Sequence, residues 1–448
     1  GMGSGCLGVR CGSIGRRSGG GAADCRGARM TDDPDAGRRG PVLSVAIGGA
    51  VILAVVGLLS ARPDVAAMGL PLALWSGFAI ARGTAGGEAK VRIDALPGQD
   101  GELLTAIAVE GDAEAVEMVI VQSERRTRRV IVPGGGSSVT ARSTVLHSGP
   151  AIPVQAAARG FSLEGAALSK TAGPVAAGRQ VAPPRRPIDA LPLPRRLIGS
   201  HGAHEGRRQG QGGDFRDIHA FAPGDELRRV DWRATARMAR RPGDLLVRRT
   251  NTLSDSSVVI AMDTSEDLGE VVSSWGSGDL ERSGVTSLDL AREAARAIAD
   301  SAIGAGDRVA LHVLVHGGRS LRSGSGSRHL ARVVAAIAAT GQAREDASFR
   351  RTPPVPHGSV IFVLSTFFEG AAAQTALMWR ASGHRVVAVD VLPPLDRTRL
   401  TRAQLIGLRT VLAERENVFA DLHGAGVDVV TWADDPSSAL LAIARARR

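Results

Sequence analysis

Val258-Val259-Ile260-Ala261-Met262-Asp263 is an unbroken apolar run that ends in a carboxylate. A short apolar stretch without polar alternation reads as a strand covered on both faces, the kind found in parallel sheets. The rhythm repeats downstream. Further strands are predicted over residues 308–315, 360–365, 385–392 and 427–432, each followed by a helical pattern. In residues 287–303, for example, Leu288, Ala291, Ala295, Ile298 and Ala302 recur at helical spacing behind a serine cap. Strand and helix in alternation predict a mostly parallel, doubly wound α/β domain over residues 254–448, with helices on both faces of the sheet.

Just upstream lies the most heavily patterned polar stretch of the chain, GDFRDIHAFAPGDELRRVDWRATAR at residues 213–237. It is too polar for a core and too regular for a linker. Pro223-Gly224-Asp225 predicts a turn handing over to a helix with Asp225 at its N-cap, where a carboxylate accepts from unpaired amides. On that helix Leu227 and Val230 would share a face with Ala234, while Arg228, Asp231 and Thr235 turn to another. Two readings stand side by side. In one, Asp225 caps, Arg228 pairs with a carboxylate and the block packs against the α/β domain. In the other, Asp225, Arg228, Asp231, Trp232 and Arg237, with Arg229 and Arg233, present a surface to a partner, Arg and Trp being favoured interface anchors.

The fixed residues of the block are Asp214, Phe215, Ile218, Phe221, Pro223, Gly224, Asp225, Arg228, Val230, Asp231, Trp232, Ala234, Thr235, Ala236 and Arg237. At this spacing they resemble the signature of the DUF58 family over residues 213–250. One stretch departs from it: His219, Ala220 and Phe221 stand where that family usually has an Arg-Glu-Tyr-like run. The resemblance implies a von Willebrand factor A-like fold at the C-terminal end, and Gly306-Asp307-Arg308-Val309 opening the second strand is similar to such domains. It also implies association with a MoxR-type AAA+ ATPase, the A-type domain acting as an adaptor.

A-type domains close their first strand with a D-x-S-x-S run that holds a divalent cation, and hard oxygen ligands suit Mg²⁺. Here the run is Asp263-Thr264-Ser265-Glu266-Asp267, so Asp263 and Ser265 match while Asp267 replaces the last serine. A later aspartate of such sites is replaced by Thr366 in Ser365-Thr366-Phe367. The resemblance thus implies Asp263, Ser265, Asp267 and Thr366 as a candidate Mg²⁺ site, or as a degenerate edge held by hydrogen bonds.

Other chemistry is thin. His201 and His204 lie three apart in a Gly-rich segment and read as solvated. Gly317-Gly318 and Gly324-x-Gly326 lack the Lys-Ser/Thr of a P-loop and a full dinucleotide fingerprint. There is no Ser-His-Asp pattern with a nucleophile elbow, so the expectation is a non-enzymatic protein. Cysteines occur only at Cys6, Cys11 and Cys25, which excludes a disulfide framework or thiolate metal cluster in the body of the chain. The formal net charge of +10 invites a nucleic-acid partner, through the Arg-rich block and the linker described below. Against it, Lys occurs only at Lys90 and Lys170 and Tyr is absent, the bias a GC-rich genome produces. Basic and aromatic residues interleave only in the signature block, so a specific nucleic-acid partner is not expected.

Residues 42–61 are twenty residues without a charge, the length a helix needs to cross a bilayer core. A second uncharged run, 65–81, follows after only Arg62, Pro63 and Asp64, so the two would form an antiparallel hairpin within residues 42–81. A secretory signal or a buried second run are the competing readings. Arg38, Arg39, Arg82, Lys90 and Arg92 flank the pair on both outer sides, which puts both termini in the cytoplasm of a multi-pass plasma-membrane protein. Residues 1–41, rich in Gly, Arg and Ser, are expected to be a disordered leader, with Met30 as a possible start. Residues 88–168 alternate short apolar runs with Pro-Gly and Gly-rich turns and predict a small β-sandwich. Residues 169–212 are rich in Pro, Gly and Arg and read as a linker with no core of its own. The chain is therefore expected to be multidomain: a membrane-anchored adaptor in the assembly or maturation of envelope proteins.

Overall fold

The structure, a computed structural model, describes residues 38–446 apart from 83–88, 97–101, 123–125, 145, 163, 195–203, 242, 255, 276–283, 316–317 and 344–352. The leader through residue 37, Met30, His201 and Gly317 lie outside the described residues, as does the side chain of His204. The chain divides into two compact units, residues 1–88 with 160–170 and residues 89–159 with 171–448.

In the first unit the helix Pro41–Leu59 is followed by Pro63–Ala67 and Leu70–Ala81. Pro41–Leu59 and Pro63–Ala81 are each long and apolar enough to cross a membrane, with mean hydropathies of 2.7 and 1.5. The two pack closely because Gly57 lacks a side chain: a Cβ there would fall 2.5 Å from the Ala66 amide nitrogen. Small residues at such points let helix backbones approach. Most of the large apolar side chains face outward, among them Val45, Leu58, Leu59 and Leu74. Arg38–Arg39, assigned from sequence to the leader, instead form a short strand paired with Ala167–Leu168, and Arg82 makes an ion pair with Glu164 at 3.0 Å.

The second unit opens with two antiparallel sheets that share one core. Ala89–Leu96, Glu102–Gly111 and Ser138–Thr144 form one sheet. Val154–Phe161, Ala115–Gln122 and Arg126–Pro133 lie side by side in the other. Ile107 and Val109 from the first meet Met118, Ile120, Val154 and Ala156 from the second. Inward and outward residues alternate along Val154–Phe161, as a half-buried strand requires.

The segment expected to be a free linker is anchored instead. Ala172–Ala176 and Arg179–Val181 pair with strands of the β-module. The following Pro-rich stretch crosses the α/β domain as a strap. Ile188 is buried in that domain's core with Leu191 against it, and Arg385 donates to the Leu193 carbonyl at 2.8 Å. Arg186 donates to the carbonyls of Trp432 and Asp434 while its guanidinium lies over the Trp432 ring at 5.5 Å. Composition shows that a segment cannot fold alone; it does not show that a neighbour supplies the groove.

The α/β domain runs β1 (Ser257–Met262), α1 (Ser287–Gly304), β2 (Arg308–Val313), β3 (Ser320–Gly324), α2 (Ser327–Ala338), β4 (Ser359–Ser365), α3 (Gly370–Ala381), β5 (Arg385–Asp390), α4 (Arg402–Gly424), β6 (Asp428–Thr431) and α5 (Pro436–Arg445). The sheet order is β3-β2-β1-β4-β5-β6, parallel except for β3. Val258, Ile260 and Met262 of β1 face one core with α1, and Val259 and Ala261 face the other with α3, which explains the unbroken apolar run. The polar edge strand β3 ends at Gly324. The cap of α1 is Thr286, not the serine after it: its hydroxyl accepts from Asp289 N–H while the Asp289 carboxylate reaches back to Thr286, a capping box.

The β-module is fastened to α1 by a polar clasp. Asp289 accepts from Ser148 N–H (2.8 Å) and Oγ (2.9 Å) and contacts His147 Nδ1 at 2.6 Å. Arg292, 4% exposed, donates to the carbonyls of Ser148 (2.8 Å) and Thr340 (2.9 Å). Gly149, at φ +98°, lies so close that a Cβ would come 2.5 Å from the Arg292 Cζ.

Candidate functional site

In a doubly wound sheet the crevice beyond the C-terminal strand ends, where strand order reverses, is the general ligand position. Here that point lies between β1 and β4. Asp263 follows β1 and Ser365 closes β4; Ser365 in turn pairs in register with Asp390 at the end of β5. Three polar residues thus form one row across the sheet edge.

The row is tightly bonded. Asp263 Oδ1 accepts from Ser265 N–H (3.1 Å) and Oγ (2.8 Å), and its Oδ2 accepts from Ser365 Oγ (2.7 Å). Ser365 Oγ also accepts from the N–H of Phe367, which is fully buried at φ +57°. A non-glycine residue in this left-handed region stores on the order of 1 kcal/mol of strain, and such strain collects at functional sites. Thr366 Oγ1 donates to Glu266 Oε2 at 2.6 Å. Burial pushes the Glu266 carboxyl above the usual carboxylate range; the charges of Glu369 and Asp263 add to this, while the Thr366 hydroxyl and Arg415 oppose it.

The structure therefore brings Asp263, Ser265 and Thr366 together but gives Asp267 different work. Asp267 accepts from Leu288 N–H at 3.4 Å and from the Thr286 side chain, at the start of α1. Glu266, one residue earlier, takes the position beside Thr366. The helix end explains this, since its unpaired amides demand an acceptor. Burial raises the Asp267 carboxyl, with the Thr286 hydroxyl and Arg292 opposing.

The donor atoms are hard oxygens of the kind Mg²⁺ takes, yet their arrangement does not suit an ion. Both Asp263 oxygens already accept from protein donors, Thr366 donates to a carboxylate, and Asp267 is engaged elsewhere. Asp263, Ser265, Glu266, Ser287, Leu288, Thr366 and Val391 line the edge closely enough that no water-sized sphere fits among them. Among the described residues no group of three or more His, Cys, Asp or Glu is placed to hold a metal.

Behind the row lies Arg415 of α4, absent from the sequence reading. It is 6% exposed, donates to the Thr366 carbonyl at 2.5 Å and forms an ion pair with Asp390. Its guanidinium lies over the rings of Phe419 (4.5 Å) and Phe368 (5.3 Å). Burial raises the Asp390 carboxyl and Arg415 holds it back. Asp390 was findable, because β5 repeats the apolar-run-then-acid pattern of β1; nothing in the pattern of a solvent-flanked helix marks Arg415.

The signature block forms a separate surface. His204–Ala220 and Leu246–Ser254 make an antiparallel hairpin. Between them, the expected helix after Asp225 gives way to a short 3-10 turn at Leu227–Arg229 and a helix at Trp232–Met238. Asp231, not Asp225, is the N-cap, accepting from Arg233 and Ala234 amides at 3.1 and 2.9 Å. Asp225 accepts from Ala222 N–H (2.9 Å) and lies 3.1 Å from His219 Nε2, closing the turn. Thr235 Oγ1 accepts from Leu246 N–H at 2.9 Å, and Val230 is buried beside Val247. Val230 thus leaves the face it was expected to share with Leu227, which is exposed. Arg228 pairs with Glu226. Trp232 is 66% exposed, and Met238, Arg233 and Arg237 are exposed with it.

No curated protein and no solved structure matches the chain. A family model described as "Protein of unknown function DUF58" matches residues 217–408, from the end of the first hairpin strand into α4. Over those residues the chain is similar to that family.

Proposed function

We propose that this chain is a membrane-anchored adaptor. Its two apolar helices cross the plasma membrane as a hairpin with both termini cytoplasmic, and its α/β domain is a von Willebrand factor A-type module. The module docks a MoxR-type AAA+ ATPase through the signature block, in the assembly or maturation of envelope proteins. The basic residues flanking both helices support the topology, and the doubly wound sheet with Asp263 after its first strand supports the A-type reading.

One observation carries the docking reading. The signature residues divide into those that build the turn, Asp225, Val230, Asp231 and Thr235, and those that it holds outward, above all Trp232. A tryptophan two-thirds exposed on a capped helix that also exposes Arg233 and Arg237 has the composition of an interface anchor. The test is a pull-down with the full chain in detergent. Recovery of such an ATPase, lost on Trp232→Ala and weakened on Arg228→Ala or Arg237→Ala, is expected. Recovery of none, or binding indifferent to these changes, refutes the reading. DNA binding tighter than ordinary non-specific affinity, and falling steeply with salt, would favour a nucleic-acid partner instead.

A further inference from the structure

The strand-edge row carries carboxylates at Asp263 and Asp390, with Glu266 beside it, on buried or half-buried backbone. Carboxylates gathered at such an edge need a countercharge, and in the fold implied by the resemblance a divalent ion supplies it. The oxygens here are closed on one another, and a cation of a different kind already stands in the row. Arg415 bonds simultaneously to the main chain of the β4 exit, at the Thr366 carbonyl, and to the carboxylate that ends β5. Its guanidinium also lies over the rings of Phe368, from the loop, and Phe419, from the helix.

We infer that Arg415 is the resident cation of this edge: its guanidinium offsets Asp390, holds the Ser365–Thr366–Phe367 turn in its left-handed path, and makes the site independent of divalent metal. The inference does not rest on the adaptor reading. It follows from position, since a guanidinium bonded to both the β4 exit and the β5 carboxylate supplies the orientation and countercharge that a bound ion would. An arginine is always charged, so the edge has the same electrostatics whatever the metal supply.

The experiment is thermal unfolding of the full chain in detergent, in EDTA and in millimolar Mg²⁺, with calorimetric Mg²⁺ titration alongside. Wild type is expected to melt at the same temperature in both and to give no binding heat. Arg415→Met is expected to lower Tm by roughly 6–15 °C in EDTA, because breaking one side of a buried ion pair leaves a charge unpaired, and to regain part of that loss in Mg²⁺. Arg415→Lys keeps the charge but loses the planar fork that spans both partners, so an intermediate loss without Mg²⁺ response is expected. If Arg415→Met fails to fold, the double variant Arg415→Met/Asp390→Asn removes both charges and is expected to fold without metal. Mg²⁺ heat on wild type that disappears in Asp263→Ala overturns the inference. So does an Arg415→Met loss that is equal with and without Mg²⁺, which would reduce the residue to packing.

Discussion

Replacing Arg292 with Met tests whether the β-module and the α/β domain are held as one body by their polar clasp. Met approximates the buried length of the arginine stem, so the change removes the guanidinium with little loss of volume. Hydrogen bonds to Ser148 O and Thr340 O, and a longer one to Ser148 Oγ, go with it, in a place where Arg292 is 4% exposed. A buried acceptor left unsatisfied costs about 1–3 kcal/mol. The lower half of that range at both carbonyls, together with the lost countercharge for Asp289, gives about 3 kcal/mol. For a large domain about 2 °C of Tm accompanies each kcal/mol, so a fall of about 6 °C is expected. Differential scanning calorimetry of the full chain in detergent measures it. Limited proteolysis gives the second readout, because a loosened clasp exposes the segment around Ser148. An unchanged Tm would show that the Arg292 guanidinium is incidental to the clasp and leave Asp289 with Ser148 and His147 as its working part.

Glu266→Gln keeps a carbonyl oxygen for the Thr366 hydroxyl but removes a charge whose carboxyl is raised on folding by burial. A raised acid binds its proton more tightly in the folded state, so it weakens folding as pH climbs from the unfolded value, about 4.3, through the folded one. The variant is therefore expected to melt higher than wild type at neutral pH, with the gap closing below that unfolded value; a gap independent of pH would refute the assignment. Gly57→Leu drives a side chain into the Ala66 backbone and is expected to separate the paired helices. In a background lacking the native cysteines, disulfide yield between cysteines at positions 49 and 72 should fall several-fold, and an undiminished yield would contradict the packing.

The parts of the fold that sequence made legible are those in which side chains answer to a period. The β1 run is apolar throughout because its alternate residues face two different cores, and the two N-terminal runs are apolar on every side. Illegible were the features fixed by a partner distant in the chain. Asp267 and Glu266 are neighbours in sequence, and only the start of α1 decides which of them faces Thr366. Asp225 and Asp231 each sit plausibly before a helix; the Leu246 and Val247 strand selects the second by holding Val230 and Thr235. Nothing in the sequence singles out Arg415 or the strap arginine Arg186; only the fold sets them over Phe419 and Trp432.

The strap has a consequence for synthesis. Arg186 leaves the ribosome 246 residues before its partner Trp432, and Leu193 precedes Arg385 by 192. At about 5–20 residues per second Arg186 waits roughly 10–50 s for Trp432, while the hydrophobic hairpin ahead of it has already emerged. The middle of the nascent chain therefore gains its anchors in stages, from α1, then β5, and last from β6. A frameshift or stop codon that deletes the last strand and helix would take away the Trp432 and Asp434 contacts of Arg186 almost 250 residues upstream, loosening one end of the strap far from the lesion.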